Sequence, residues 1–395
     1  MKKGWKLEKL GDVCEIIMGQ SPNGKSYNSI GKGVPLINGP VEFSNGSFGE
    51  TIRSKFTTQP TKLCKEGDLI LCVRGSTTGR MNIAGFDACI GRGVAAIRAK
   101  QFQPWINHFV SSKRNEIHGK GTGATFPNVS GTMLANFELL MPPLPEQQRI
   151  VAILNEAFEA IAAARANAEQ NRQNARALFE SYLQSVFSQR GGEWEKTTLE
   201  KVLKVQPQNG WSPPAANHSD SGTPVLTLSS VTGFQFKADK IKFTSAPTNN
   251  MGRYWVKNGD LLITRSNTPN LVGHVAIASD INQPTIYPDL IMRMNPDPER
   301  VMTEFLYFQL RTPALRQEIM GRAQGANPTM KKISNGAVKT LPIVVPRLET
   351  QSSIAQSLNQ LTIETQRLES LYQRKIAALD ELKQSLLQQA FSGNL

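Results

Sequence analysis

Nowhere among its 395 residues does the chain run about 18 apolar residues together, which excludes a membrane-spanning helix. Lys2, Lys3 and Lys6 are followed by no apolar stretch of the kind a secretory leader needs, so a cytoplasmic protein is expected. Cysteine is scarce. Cys14, Cys64, Cys72 and Cys89 all fall in the first quarter of the chain, at separations that match no zinc site. They are expected to be small, reduced core residues. Histidine is equally scarce, and His108, His118, His218 and His274 form no close pair, so no metal site is expected. Acidic side chains are outnumbered, 32 against 45 basic ones, leaving a formal charge of +13. With no long run of one sign, this suggests a folded polyanion binder, nucleic acid first.

Catalytic constellations are missing too. There is no Asn-Pro-Pro-aromatic motif for amino-group methylation, although Met141-Pro142-Pro143 and Ser212-Pro213-Pro214 superficially resemble it. No nucleophile elbow and no carboxylate cluster suited to nuclease metals appears. One motif is a decoy: Gly19 to Ser26, GQSPNGKS, matches the phosphate-cradling pattern G-x-x-x-x-G-K-S. That loop needs a helix starting at the lysine, and Gly31, Gly33 and Pro35 follow too soon. A turn is the better reading.

What the chain does have is an internal repeat. Trp5, Leu10 and Val13 recur as Trp194, Leu199 and Val202, and Ser21-Pro22 recurs as Ser212-Pro213. Gly67-Asp68-Leu69, an apolar run and Arg74 return as Gly259-Asp260-Leu261, an apolar run and Arg265. Pro142, Leu144, Gln147, Ile150, Leu154, Leu183 and Phe187-Ser188 map without a gap onto Pro346, Leu348, Gln351, Ile354, Leu358, Leu387 and Phe391-Ser392. A long gap-free match marks elements whose length and register matter.

Those gap-free segments read as helices. Steps of four and three from Ile150 give a seam through Leu154, Ile161, Ala168, Leu178 and Tyr182; the second copy gives Ile354, Leu358, Leu361, Leu368, Tyr372, Leu379, Leu382 and Leu386. No Pro or Gly interrupts either from Gln147 to Arg190 or from Gln351 to Ser392. Each helix would be roughly 60 Å long. The middle of the first seam is rich in alanine and that of the second in Leu368, Leu371 and Tyr372, which suggests an antiparallel pair.

The remaining stretches, 1–145 and 191–349, are rich in Gly, Pro, Asn, Ser and Thr with short β-type runs such as Leu69 to Val73 and Leu261 to Thr264. Trp105 to Val110 and Glu304 to Gln309 read as short helices. Two mixed α+β domains therefore alternate with long helices at 146–190 and 350–395. The charge follows the same division. Residues 1–145 carry 18 basic and 10 acidic side chains and 191–349 carry 18 and 13, whereas the helices carry 5 of each and 4 of each. Phosphate neutralisation would belong to the domains, with the neutral helices as spacer. A merely solubilising surface is the rival explanation.

Candidate contacts lie in loops. Lys25 stands in the Gly24-Lys25-Ser26 turn. Arg74, Ser76, Thr77 and Arg80 follow one strand, and Arg265, Ser266 and Asn267 follow its counterpart; either arginine could reach DNA or pair with Asp68 or Asp260. The Gly-rich loop Gly119 to Gly123 offers Lys120 and Thr122, with Thr125 just beyond. Its counterpart offers Arg322, Gln324 and Asn327, side chains able to form bidentate contacts with guanine or adenine edges, then Lys331 and Lys332. Ordinary surface-loop chemistry explains both loops equally well.

The opening Trp5 to Val13, then Gly19 to Pro22, Pro35 to Pro40, Gly67 to Ser76, and above all Pro142-Pro143-Leu144-Pro145-Glu146-Gln147-Gln148-Arg149-Ile150 entering a long helix, resemble the specificity subunits of type I restriction-modification systems. Val345 to Gln351 repeats the last mark more loosely, without the second proline or the Glu-Gln-Gln. The resemblance spans essentially the whole chain. It implies two target-recognition domains in tandem, held apart by an antiparallel coiled coil in a pseudo-twofold repeat. Each domain would read one half of a bipartite DNA target, and the helix length would set the unread spacer. The chain itself would be non-catalytic and hold no cofactor. Two methyltransferase subunits on the helices would bring S-adenosylmethionine for adenine-N6 methylation; restriction subunits would bring ATP, Mg and the nuclease. A stand-alone modification enzyme and a non-reading scaffold are the rival readings.

Overall fold

The structure, a computed structural model, describes residues 4–46, 48–120, 128–188, 193–249, 252–327 and 329–395, with the backbone alone at Lys120. Two compact units divide the chain: Met1–Glu169 with Gln373–Leu395, and Gln170–Tyr372. We call them unit 1 and unit 2.

Unit 1 contains β1 (Lys6–Lys9), β2 (Cys14–Met18), β3 (Leu69–Cys72), β4 (Met81–Ile83), β5 (Val94–Ala99), helix α1 (Gln103–Ser112), β6 (Glu138–Met141) and the start of the long helix α2 (Leu144–Ser188). Its antiparallel central sheet has the order β2-β5-β3-β4, and β1 pairs with β6. All four residues of β3 are apolar and buried, the mark of a strand covered on both faces. Leu69, Leu71 and Val73 share a core with Trp105 and Phe109 of α1, while Ile70 and Cys72 pack with Ile37 and Ile90 of a second, five-stranded sheet. That division follows from the two-residue period of a strand. The four cysteines are free and buried, as expected, and burial pushes the Cys14 and Cys64 thiols up to about 12.

Unit 2 repeats the plan with β7 (Glu195–Thr198), β8 (Leu203–Asn209), β9 (Leu261–Thr264), β10 (Ser266–Asn267), β11 (Val275–Ile277), β12 (Ile291–Pro296), helix α3 (Thr303–Arg311), β13 (Lys331–Lys332), β14 (Pro342–Val345) and the first half of the long helix α4 (Leu348–Ser392). The sheet order is β8-β12-β9-β11, and β7 pairs with β14. Leu261 and Ile263 face Phe305 of α3, while Leu262 faces the core of Leu226, Val256 and Tyr287.

Both units close their cores alike. In unit 1 the Trp105 ring lies 6.3 Å from Trp5 and 4.6 Å from Phe391; in unit 2 the Phe305 ring lies 6.1 Å from Trp194 and 5.3 Å from Phe187. The third ring comes from the last turn of α4 in unit 1 and of α2 in unit 2, which is the internal symmetry written in side chains. The helix entrances also match. Buried Gln147 Nε2 donates to the Pro142 carbonyl at 2.8 Å, and Gln351 Nε2 donates to the Pro346 carbonyl at 2.8 Å.

Each long helix has 45 residues, roughly 68 Å of rise. They run antiparallel within the units: Arg149 donates to the Leu395 carbonyl and Arg165 pairs with Asp380 in unit 1, and Arg176 pairs with Glu369 in unit 2. Ile150, Leu154, Ile161, Ala168 and Leu358 are buried, Tyr372 and Leu379 half-buried. The expected seam fails at Leu178, Tyr182, Leu368 and Leu382, which are exposed. A strict seven-residue step drifts by about 20° per heptad against a 3.6-residue helix. Over the four heptads from Ile150 to Leu178 the drift is roughly 80°, nearly the angle of one residue. The buried positions are accordingly Phe179 and Leu183 in α2, and Ile376, Leu387 and Ala390 in α4. Ile354, Leu361 and Leu386 are partly buried.

Candidate nucleic-acid interface

The candidate residues collect at one end of each central sheet, because neighbouring antiparallel strands enter and leave together. In unit 1, β2 ends at Met18 and β3 at Cys72, while β4 begins at Met81 and β5 at Val94. The segments 19–25, 73–80 and 91–93 therefore converge. Val73 N donates to the Gly93 carbonyl at 2.9 Å, Gly19 N to the Val94 carbonyl, and Arg92 N to Ser21 Oγ at 3.2 Å. Gly19 is required here: a Cβ would come within 2.2 Å of the Gly91 carbonyl oxygen.

Unit 2 is wired by the same bonds. Arg265 N donates to the Leu290 carbonyl at 2.8 Å, Gly210 N to the Ile291 carbonyl, and Asp289 N to Ser212 Oγ at 3.2 Å. This wiring corrects the repeat by one residue. Val129 N donates to the Val73 carbonyl and Ile333 N to the Arg265 carbonyl, so Arg265 holds the place of Val73, and Ser266 that of Arg74. Matching the two arginines aligned like charges and missed the backbone register.

Asp68 and Asp260 are not partners of Arg74 and Arg265. Each accepts a turn amide, Lys65 N at 2.8 Å and Lys257 N at 2.9 Å. Each also faces an arginine of the adjoining strand: Arg98 Nη2 at 2.7 Å from Asp68, and Arg293 Nη1 at 3.4 Å from Asp260. The Asp68 carboxylate raises the Arg98 pKa, chiefly through their hydrogen bonds. The Gly-Asp-Leu repeat is thus a structural clasp.

Of the candidates in unit 1, Lys25, Arg74, Ser76 and Arg80 are exposed and Thr77 is half-buried. Gly24-Lys25-Ser26 forms one 3-10 turn followed by a strand, and Ser26 Oγ is buried 2.7 Å from Thr57 Oγ1. No helix begins there to receive a phosphate. Thr122 and Thr125 lie outside the described residues, as does the side chain of Lys120. Sequence reading missed Arg92, exposed at the second position of the 91–94 turn, although its setting between two glycines was a turn signal.

Unit 2 corrects three candidates. Ser266 is buried at 2% exposure because β10 is paired against β13. Asn267 spends its amide on Thr232 Oγ1 and the Thr268 amide. Arg322 is engaged by Glu318, the Ala337 carbonyl and Thr340 Oγ1, so its guanidinium fastens a helix end. Arg265 donates to the Asp289 carbonyl at 3.3 Å and stands 3.9 Å from its carboxylate. Gln324 and Lys332 bond through both backbone groups at 2.8 Å and frame a loop. Gln324, Asn327 and Lys332 are exposed there, and Lys331 Nζ donates to the Gly325 carbonyl. The β10–β13 pairing draws this loop to the sheet end.

Among the described residues no three His, Cys, Asp or Glu side chains gather as metal ligands would, and no helix is long and apolar enough to cross a membrane. The chain is similar, at 24% identity, to the EcoKI type I restriction enzyme specificity subunit of Escherichia coli K12, over all of this chain and 90% of that one. A stretch covering 42% of this chain and 39% of the relative is 33% identical to the putative MjaX specificity subunit of Methanocaldococcus jannaschii. In fold it matches a chain of a solved type I R-M system, with a TM-score of 0.80 at 21% identity over 100% of this chain and 99% of that one. The HsdS subunit of Thermoanaerobacter tengcongensis matches with a TM-score of 0.60 at 20% identity, over 100% and 98% of the two chains. The model of the type I restriction modification DNA specificity domain fits residues 2–170 and again 191–376, one match for each copy of the repeat, and the chain belongs to that family.

Proposed function

We propose that the chain is the DNA-reading subunit of a type I restriction-modification complex, each sheet end reading one half of a bipartite target. One observation carries this: the two units share the backbone wiring of their sheet ends, yet the exposed side chains on that wiring differ. A common frame with different outward chemistry is what two half-sites of different sequence require. Recognition then lies within 1–145 and 191–349, and the helix pair sets the unread spacer. The family relation and the basic excess of both domains support duplex DNA as the ligand.

The chain contributes binding and no chemistry. Two methyltransferase subunits seat on the helices with S-adenosylmethionine and methylate adenine N6. Restriction subunits bring ATP, Mg and the nuclease, in the cytoplasm. Methylome sequencing of a host carrying the chain with its methyltransferase partner tests the reading. A motif of two read halves around a fixed spacer is expected; a contiguous motif, or methylation independent of the chain, contradicts it. Four residues inserted near Asn171 should change the spacer and leave the read bases alone.

A further inference from the structure

The two sheet ends differ in charge at matched places. Unit 1 carries Arg74, Arg80 and Arg92 just outside three adjacent strand ends, of β3, β4 and β5. All three are exposed, and among the described residues none has a side-chain hydrogen bond or ion pair. With strands about 4.8 Å apart, the three arginines are rooted across roughly 10 Å of sheet edge. Like charges so close repel one another unless an anion sits over them.

The same backbone bonds identify their counterparts. Cys72 N donates to the Arg80 carbonyl as Thr264 N donates to the His274 carbonyl, so His274 stands for Arg80; Ser266 stands for Arg74 and Asp289 for Arg92. Ser266 and His274 are buried. The His274 ring stacks on Phe234 at 4.1 Å, Nδ1 accepts from Gly233 N at 3.0 Å, and burial with nearby Arg316 lowers its pKa to about 4. Asp289 is held by the Ser212 hydroxyl beside Arg265. Where unit 1 presents three open cations, unit 2 presents a neutralised pair, a buried hydroxyl and a neutral ring.

We propose that Arg74, Arg80 and Arg92 form a phosphate anchor for duplex DNA that unit 2 lacks at its matching sheet end. This rests on the DNA-reading function proposed above and adds a division of labour. Unit 1 supplies a sequence-independent, salt-sensitive grip here, because guanidinium contacts to backbone phosphates release counterions and carry no base information.

The test uses the full-length chain and a random-sequence 40-base-pair duplex, with affinity followed by fluorescence anisotropy across a potassium chloride series. Each phosphate contact adds about 0.9 to the slope of log K against log salt. R74A, R80A and R92A should each flatten the slope by about one, and the triple variant by roughly two to three. Methylation by the assembled complex should keep its motif. R347A removes an arginine exposed elsewhere and should leave the slope unchanged. D289R, which gives unit 2 the residue unit 1 has at that place, should steepen the slope by up to about one, and this gain cannot come from misfolding. An unchanged slope in the triple variant, or equal flattening by R347A, overturns the anchor while DNA reading stands. If the wild-type chain binds no duplex at any salt concentration, the DNA-reading function falls and the anchor with it.

Discussion

The two sheet ends are built on the same bonds and carry different chemistry, and the line between what repeats and what varies is whether a side chain takes part in those shared bonds. Ser21 and Ser212 each accept a turn amide, Asp68 and Asp260 each clasp a turn to an arginine, and Gln147 and Gln351 each bond their own helix entrance. All of these side chains bond backbone groups of the frame. Arg92 and Asp289, anchored by the same serine contact, face outward and are opposite in charge. Internal repetition therefore marks the scaffold, and the readers are to be sought where it fails.

The comparison breaks most visibly if the clasps are not equivalent. Asp68→Ala should leave Arg98 paired with Glu15 alone, and Asp260→Ala should leave Arg293 to the Trp255 and Arg253 carbonyls without its carboxylate. Removing one partner of a buried ion pair costs roughly 3–5 kcal/mol, and with the remaining partners each variant should destabilise its own unit by up to that order, read by hydrogen exchange of that unit's amides. A large loss in one unit and none in the other would deny the shared frame. Next in size is the helix seam. Leu183→Ala should cost about 3 kcal/mol in unit 2, since Leu183 is fully buried, whereas exposed Leu178→Ala should stay within about 0.5 kcal/mol. Urea unfolding of the pair would reverse the seam correction if Leu178 proved the costlier.

A smaller contrast depends on pH. His274 binds a proton more readily in the unfolded chain, near 6.5, than in the fold, where its pKa is about 4. Its contribution is therefore complete above pH 6.5 and is lost as pH falls towards 4, by about 2–3 kcal/mol. Amide exchange in unit 2 should accelerate across that window in the wild type and less so in His274→Phe. Unit 1 has Arg80 in place of this histidine, so the matched strand there should not share the effect at this position.

Much of this frame could be read in the sequence, because buried apolar and small residues obey geometric periods. Leu69 to Val73, the short helix around Trp105 and the two long helices are all periodic signals that burial enforces. The seam slipped at Leu178 and Tyr182 because a seven-residue step is only an approximation to the helical turn, and its error accumulates with length. The candidate contacts were less legible. Arg265 was matched to Arg74 because charge resembles charge on paper, while the fold registers backbone bonds. Arg322 and Ser266 have the right chemistry for DNA, but whether a polar group meets solvent or its own fold depends on partners such as Glu318 and Lys332, which only the tertiary structure brings near. Arg92 became visible once Ser21 was seen to hold its amide.

In the proposed function each unit reads its own half of the target. Exchange of residues 191–349 for the corresponding domain of another family member, followed by methylome sequencing, addresses it most directly. One half of the methylated motif should change, with the other half and the spacer intact; a change in both halves would mean that the units do not read separately.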